Sequence, residues 1–337
     1  MTVDARPTRD DFSPPRWLRN RHVQSIYASL PLRRLQVQRA ARSFAAVSQP
    51  LVVDCGEGVR LLALRASQPE NRPGRRELAI LLHGWEGSAN SLYVTSLGQT
   101  LYARGFDVVR LNLRDHGGSH DLNPELFHSC RIDEVVGAVR RLHELHPRHR
   151  LSVAGFSLGG NFALRVAVRA RRAQINLAQA VAVCPVLDPA HTLAALEHGW
   201  SLYSRYFIGA WRRSLRRKHA AWPGRFHFDE MLRIDSLTEM TAQLVRSYTD
   251  YRDLDEYLRG YALVDGALAH LDVPSRLIAA NDDPIIPAAD LDRLSRTPAL
   301  TLTRTSLGGH CGYYDGQTGA SWLERTICAA LLRPEPA

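Results

Sequence analysis

From residue 50 onward, short runs of apolar residues alternate with segments whose apolar positions recur every third or fourth residue. A run of about four to eight apolar or β-branched residues reads as a strand, and the three-to-four spacing reads as one face of a helix. Strands are predicted at Leu51–Val53, Val59–Leu64, Leu78–Leu82, Val108–Leu113, Leu151–Ala154, Ala180–Cys184, Arg276–Ala280 and Leu300–Thr305. Several are apolar at every position, as strands covered on both faces should be. Between them, Ile132, Val135, Val136, Val139 and Leu142 form a helical stripe, with Asp133 and Glu134 in the first turn where acidic side chains suit the helix dipole. Val94, Leu97 and Leu101 form another, which Gly105 is placed to end, and a last helix is expected from about Ser321 to Leu331. Strands alternating with helices in this way predict an α/β fold with a mostly parallel eight-stranded sheet and helices on both faces.

The alternation stops between Asp188 and Leu271, where the chain is polar, aromatic and helical in pattern. We expect residues 188–271 to be a helical lid insertion over the strand ends, dividing the core into 50–187 and 272–337. Residues 1–49 are then an N-terminal segment packing on that core. Within the insertion, Trp200, Tyr203, Phe207, Trp211 and Leu215 fall at helical spacing, and Arg212, Arg213, Arg216, Arg217 and Lys218 cluster beside them. Packing of this stripe on its own domain is the stronger reading, and peripheral contact with an anionic membrane is the other. Either leaves an apolar pocket beneath, which suits an acyl chain better than a sugar or peptide; His116, Tyr313 and Tyr314 are read as ordinary loop residues rather than its lining.

Composition narrows the class further. Hydrophobic residues make up 45% of the 337 residues and charged residues 23%, ordinary for a soluble enzyme, and no apolar stretch approaches the length of a bilayer span. Met1 to Asp11 carries Asp4, Asp10 and Asp11 with no hydrophobic segment behind them, so a secretory signal is not expected. A cytoplasmic protein follows, peripheral on the inner membrane face if the lid meets lipid. The five cysteines are odd in number and show no C-x-x-C spacing, which argues against a disulfide framework or a zinc site. The net charge of +9 comes from arginines spread over nearly every segment, Lys218 being the only lysine, so nucleic acid is not an expected partner. Oligomeric state leaves no signature in the sequence.

The chemistry is concentrated at Gly155-Phe156-Ser157-Leu158-Gly159, a G-x-S-x-G pattern between the strand at Leu151–Ala154 and a helical pattern opening at Asn161. In that context the serine tops a strained strand-to-helix turn, and glycines on either side remove the Cβ atoms that would collide across it. A serine needs a base to take its proton, and the base needs a carboxylate to fix its tautomer. In this architecture the chain order is Ser, acid, His. Asp283 follows the strand at Arg276–Ala280, and His310 lies in a Gly-flanked loop after the strand ending at Thr305. The expected triad is therefore Ser157, Asp283 and His310, with Asp282 and Asp188 as competing acids. Oxyanion-hole N–H groups are expected from Leu158 and from Trp85 in His83-Gly84-Trp85-Glu86-Gly87, where His83 is read as structural. His143, His146 and His149 mimic a metal spacing, but Pro147 breaks their helix and no carboxylate completes a set, so a solvated helix end is expected.

Taken together these residues resemble the alpha/beta-hydrolase superfamily, and within it the YheT-like hydrolases, whose animal relatives are membrane-associated lipases. The likeness runs from about residue 12 to 330. It rests on Pro14, Pro15, Trp17, Leu18, Asn20, His22, Gln24, Ser25 and Ile26, then His83 to Ser88, Asn112-Leu113-Arg114, Gly155 to Asn161, and Asp282-Asp283-Pro284-Ile285. The resemblance implies an esterase or lipase whose Ser-Asp-His triad falls on Ser157, Asp283 and His310, with neither metal nor cofactor. The chain departs from the family after Arg114, where Asp115-His116-Gly117-Gly118 replaces a small residue and Gly, and its N-terminus shows no membrane anchor of the animal kind. A serine carboxylic-ester hydrolase acting on a small acyl ester or lipid is thus expected. A thioesterase or acyltransferase with the same triad, and an idle hydrolase fold serving interaction, are the alternatives.

Overall fold

The computed structural model describes residues 12–27, 31–69, 76–317 and 320–332. Three N-terminal helices, α1 (Arg21–Tyr27), α2 (Pro31–Ala40) and α3 (Arg42–Val47), lead into a single sheet. Its strands are β1 (Gln49–Gly56), β2 (Val59–Ala66), β3 (Arg76–Leu82), β4 (Phe106–Leu111), β5 (His149–Phe156), β6 (Leu177–Val183), β7 (Ser275–Ala280) and β8 (Leu300–Thr305). They lie in the order β1-β2-β4-β3-β5-β6-β7-β8. Strands β1 and β2 are antiparallel to their neighbours, and every pairing from β4 to β8 is parallel.

Each predicted strand is present, longer at one or both ends in most cases because ladder bonds continue past the apolar run. Two end earlier than their apolar runs. The run Val108–Leu113 leaves the sheet after Leu111, where Asn112 turns its side chain to accept the Ala89 N–H at 2.8 Å. Cys184 leaves β6 in a left-handed conformation with φ 41°.

The period-two alternation inside β3 divides the core. Leu78, Ile80 and Leu82 face one apolar cluster while Ala79 and Leu81 face the other. Helix α4 (Leu92–Ala103) covers the second face and ends at Gly105, φ 96°, as expected. Helices α5 (Ile132–Leu145) and α6 (Leu158–Arg169) cover the first. Gly137 lets α5 approach β1, since a Cβ there would lie 2.0 Å from the Cys55 carbonyl oxygen.

Between β6 and β7 the described chain is helical with no strand: α7 (Pro189–His198), α8 (Ser201–Ala221), α9 (Leu237–Tyr248) and α10 (Leu254–Arg259). Helix α11 (Trp322–Leu331) closes the second face, started by a Ser321–Glu324 capping box. In α8 the stripe turns inward, with Trp211 and Leu215 buried in the main core and Phe207 packed on it. Trp200 and Tyr206 stay 46% and 59% exposed. The basic cluster does not behave as one surface. Lys218 is buried on Asp115 at 2.8 Å, and Arg212 bonds the Ile234 carbonyl and Asp235. Among the described residues no helix is long and apolar enough to cross a membrane.

Candidate active site

The C-terminal ends of β3, β5, β7 and β8 bring the predicted residues to one edge of the sheet. Between β5 and α6 the chain reverses at Ser157, which is held at φ 53°, ψ −119°, a region that favours glycine. Its N–H donates to the Val183 carbonyl of β6 at 2.8 Å, fixing the turn to the neighbouring strand. A Cβ on Gly155 would lie 2.0 Å from the Gly159 carbonyl oxygen, and one on Gly159 would lie 2.4 Å from the carbonyl oxygens of Leu82 and His83. Neither position tolerates a side chain, so the strain at Ser157 is imposed by its surroundings.

The loop after β3 lies against this turn: a Cβ on Gly84 would be 3.3 Å from the Cβ of Ser157. His83 supports the loop from inside, with Nδ1 2.7 Å from the Gly84 carbonyl and Nε2 accepting the Leu113 N–H at 3.1 Å. Burial, helped by His116, pushes its pKa down to about 3, so it is neutral and structural, as expected. Leu158 opens α6, so its N–H has no partner inside the helix. Among the described residues the Trp85 N–H likewise has no hydrogen-bond partner.

The adjacent aspartates divide their work. Asp283 Oδ1 accepts the N–H groups of Ile285 and Ile286 at 2.8 and 3.0 Å, and its Oδ2 lies 2.9 Å from His310 Nδ1. Asp282 instead accepts the Gly309 N–H at 2.9 Å and so shapes the histidine loop. Asp188 caps α7 and pairs with Arg293 at 2.6 Å, with no bond to His310. Burial lowers the His310 pKa, but the charge and hydrogen bond of Asp283 prevail and hold it above the ordinary imidazole value. The next residue, Cys311, places Sγ 3.8 Å from the same Val183 carbonyl that holds Ser157, so the histidine loop rests on the serine turn. Among the described residues no hydrogen bond joins the Ser157 hydroxyl to the imidazole. Such bonds in ligand-free sites tighten when substrate binds.

Two supports of this loop come from the N-terminal segment. Ser25 Oγ accepts the His310 N–H at 2.8 Å while donating to the Arg21 carbonyl at 2.7 Å. The buried Gln24 amide donates to the carbonyls of Leu18 and Tyr314 and accepts the Tyr314 N–H at 2.8 Å. The only trace of these roles in the sequence was the membership of both residues in the N-terminal part of the family resemblance.

A cavity of about 90 Å³ opens at Ser157, with apolar walls from Trp85, Leu158, Leu193, Phe207, Trp211 and Leu244. Trp85 stacks on Phe207 with ring centroids 5.1 Å apart and meets Trp211 edge-on at 5.2 Å. Tyr313 is fully buried against Trp322, Tyr314 bonds Gln24, and His116 is buried with Nδ1 on the Arg114 carbonyl, so none of them lines it. One expectation is corrected at the opposite edge of the sheet. The sequence offered no carboxylate to His146 and His149, but the fold brings Asp107 from β4 to His149 Nε2 at 2.8 Å. These residues share no contact with the serine turn.

Residues 79–317, from the middle of β3 to beyond β8, match the family described as the alpha/beta hydrolase fold. The chain belongs to that family. This alpha/beta hydrolase is similar to YheT of Escherichia coli (strain K12), 25% identical over 94% of this chain and 92% of that protein. It is also similar to phospholipase ABHD3 of Mus musculus, 22% identical over 72% of this chain but only 59% of that longer protein. Among solved structures, the Pyrococcus furiosus esterase Pf2001 superposes with a TM-score of 0.56 at 15% identity, covering 86% of this chain and 93% of that one, a likeness of fold.

Proposed function

We propose that this protein is a serine carboxylic-ester hydrolase that cleaves acyl esters through an acyl-enzyme on Ser157. The Asp283–His310 pair at 2.9 Å, set beside a serine on a strained turn, is the observation that carries the reading. In the proposed reaction Ser157 Oγ attacks the ester carbonyl while His310 Nε2 takes its proton, and Asp283 stabilises the imidazolium through Nδ1. The carbonyl oxygen becomes an oxyanion, for which this reading assigns the N–H groups of Trp85 and Leu158 as donors; a donor of this kind contributes roughly 3 kcal/mol to the transition state. Collapse returns the proton to the departing alcohol. Water, deprotonated by the same histidine, then attacks the acyl carbonyl, and carboxylic acid and free Ser157 result.

The apolar cavity at Ser157 supports an acyl chain or lipid as the group retained on the enzyme. Residues 188–271 act as the lid over it, through Phe207 stacked on Trp85 and Trp211 edge-on to it. The test is reaction with a fluorophosphonate probe together with hydrolysis of p-nitrophenyl esters of increasing chain length. The wild type should label and turn over. Ser157→Ala should lose the label and at least about 10⁴-fold in kcat. Labelling that survives in Ser157→Ala would place the nucleophile elsewhere.

A further inference from the structure

At the end of β5 away from Ser157, three side chains from separate elements converge. Asp107 lies in β4, His149 opens β5, and His146 caps the C-terminus of α5. A tight turn joins the two histidines: the His149 N–H donates to the His146 carbonyl at 3.0 Å, and Pro147 suits its first corner. Their rings meet edge-on with centroids 4.9 Å apart. Strand β3 lies between β4 and β5, its Arg76 paired with His149 and its Leu78 with Asp107. Carboxylate and imidazole therefore meet across the start of β3, Asp107 Oδ2 lying 2.8 Å from His149 Nε2.

Hydrogen bonds do not account for all the polar atoms gathered here. Asp107 is satisfied, since its Oδ1 also accepts the Gln68 N–H at 2.6 Å. The imidazoles are not. His149 Nδ1 and His146 Nε2 are both buried and have no hydrogen-bond partner among the described residues, although the His149 side chain is only 9% exposed. A buried ring nitrogen gives up its hydration, and without a partner nothing offsets that loss. Solvent does not reach either atom. A metal ion bonds imidazole nitrogen at about 2.0–2.1 Å, well inside the distance of a hydrogen-bonded water. One ligating atom from each of Asp107, His146 and His149 lies within 4.8 Å of the other two, a spread that side-chain rotation can close onto one ion.

We propose that Asp107, His146 and His149 bind a divalent transition-metal ion of the zinc type. Two imidazoles and one carboxylate suit Zn²⁺, whereas Mg²⁺ and Ca²⁺ take oxygen ligands. His146 is half-buried, so water completes the coordination from its side. Of the charged groups acting on His146, the Arg65 guanidinium opposes a cation and Asp107 favours one. The ion ties the end of α5 and the start of β5 to β4 and takes no part in ester cleavage. Two other groups of potential ligands are less suited. Cys184, His310 and Cys311 include the imidazole already held by Asp283, and Asp188, His191 and Asp290 already share Arg293.

The test is equilibrium dialysis of the untagged, chelator-treated full chain against Zn²⁺ alone, with thermal unfolding and p-nitrophenyl butyrate hydrolysis measured alongside. The wild type should take up one equivalent of Zn²⁺ at micromolar free metal and none of Mg²⁺. At about a hundred times the dissociation constant, Zn²⁺ should raise Tm by about 3 °C with no loss of ester turnover. His146→Gln removes a ligand whose ring makes no hydrogen bond in the metal-free protein, so the variant should fold normally. Its Zn²⁺ affinity should fall at least about tenfold, the least that loss of an orienting partner alone costs, and the Tm gain should go with it. His149→Gln should behave likewise, and Arg65→Gln, which removes the opposing charge, should bind more tightly. Absence of saturable uptake by the wild type, or full affinity kept in both histidine variants, would overturn the proposal. So would uptake that abolishes turnover and survives in both variants, since it assigns the ion to Cys184, His310 and Cys311.

Discussion

Asp282 and Asp283 differ by one position and by everything else. The first holds the backbone of Gly309 and the second holds the imidazole of His310. Replacing Asp283 by Asn removes the charge but keeps the size, and by analogy with other triads should lower kcat by about 10³–10⁴-fold. Asp282→Asn retains an oxygen that can accept the Gly309 N–H and should cost less than tenfold, roughly the worth of one neutral hydrogen bond. The pH profile separates the roles. His310 works as a base only when neutral, so kcat/KM should rise as pH passes upward through its pKa, which Asp283 holds above 6.5. In Asp283→Asn the main raising influence is gone and the lowering effect of burial remains, so the residual activity should rise at lower pH than in the wild type. An unmoved limb would mean that the carboxylate does not act on the titrating group.

The elements around this pair were unequally legible. Continuous apolar runs marked the strands because both faces of this sheet are covered, and the G-x-S-x-G spacing marked the turn because few other sequences fit it. The choice between Asp282 and Asp283 was not decidable from spacing, since both follow β7; it depends on which side chain the loop turns toward His310. The contribution of α1 was invisible for another reason. Ser25 and His310 are 285 residues apart, and a serine in a seven-residue helix has no local feature that announces a distant backbone N–H as its partner. Its removal should be felt in catalysis more than in binding. Ser25→Ala leaves the His310 N–H without an acceptor at a cost of about 1–3 kcal/mol, and misplacement of the ring should lower kcat about tenfold with little change in KM. Ser25→Thr, which keeps the hydroxyl, should restore most of it. A loss in KM alone, or no rescue by threonine, would assign Ser25 to folding only.

At the scale of the molecule, the helices between β6 and β7 must stay registered on the strand ends for the apolar cavity at Ser157 to exist, and beside its apolar face α8 is attached through one buried cation. In the sequence Lys218 is only the last member of the basic cluster beside the aromatic stripe. The fold instead surrounds its ammonium with Asp115 at 2.8 Å and the carbonyls of Asn123 and Glu125 at 2.6 and 2.9 Å. Burial raises the pKa of Asp115 and lowers that of Lys218, so each remains charged because the other does. Such a pair adds little net stability over an apolar substitute, yet breaking it from one side strands the partner. Lys218→Met should therefore destabilise the protein by about 3–5 kcal/mol in denaturant titrations, and adding Asp115→Asn should recover part of that loss because no uncompensated charge is left inside. Asn at 115 keeps an oxygen for the Phe127 N–H, which Asp115 accepts at 2.8 Å, and tolerates the φ of 58° found there. If the double variant were as unstable as the sum of the single ones, the two side chains would be acting independently and the attachment of α8 would have to be sought in its apolar face.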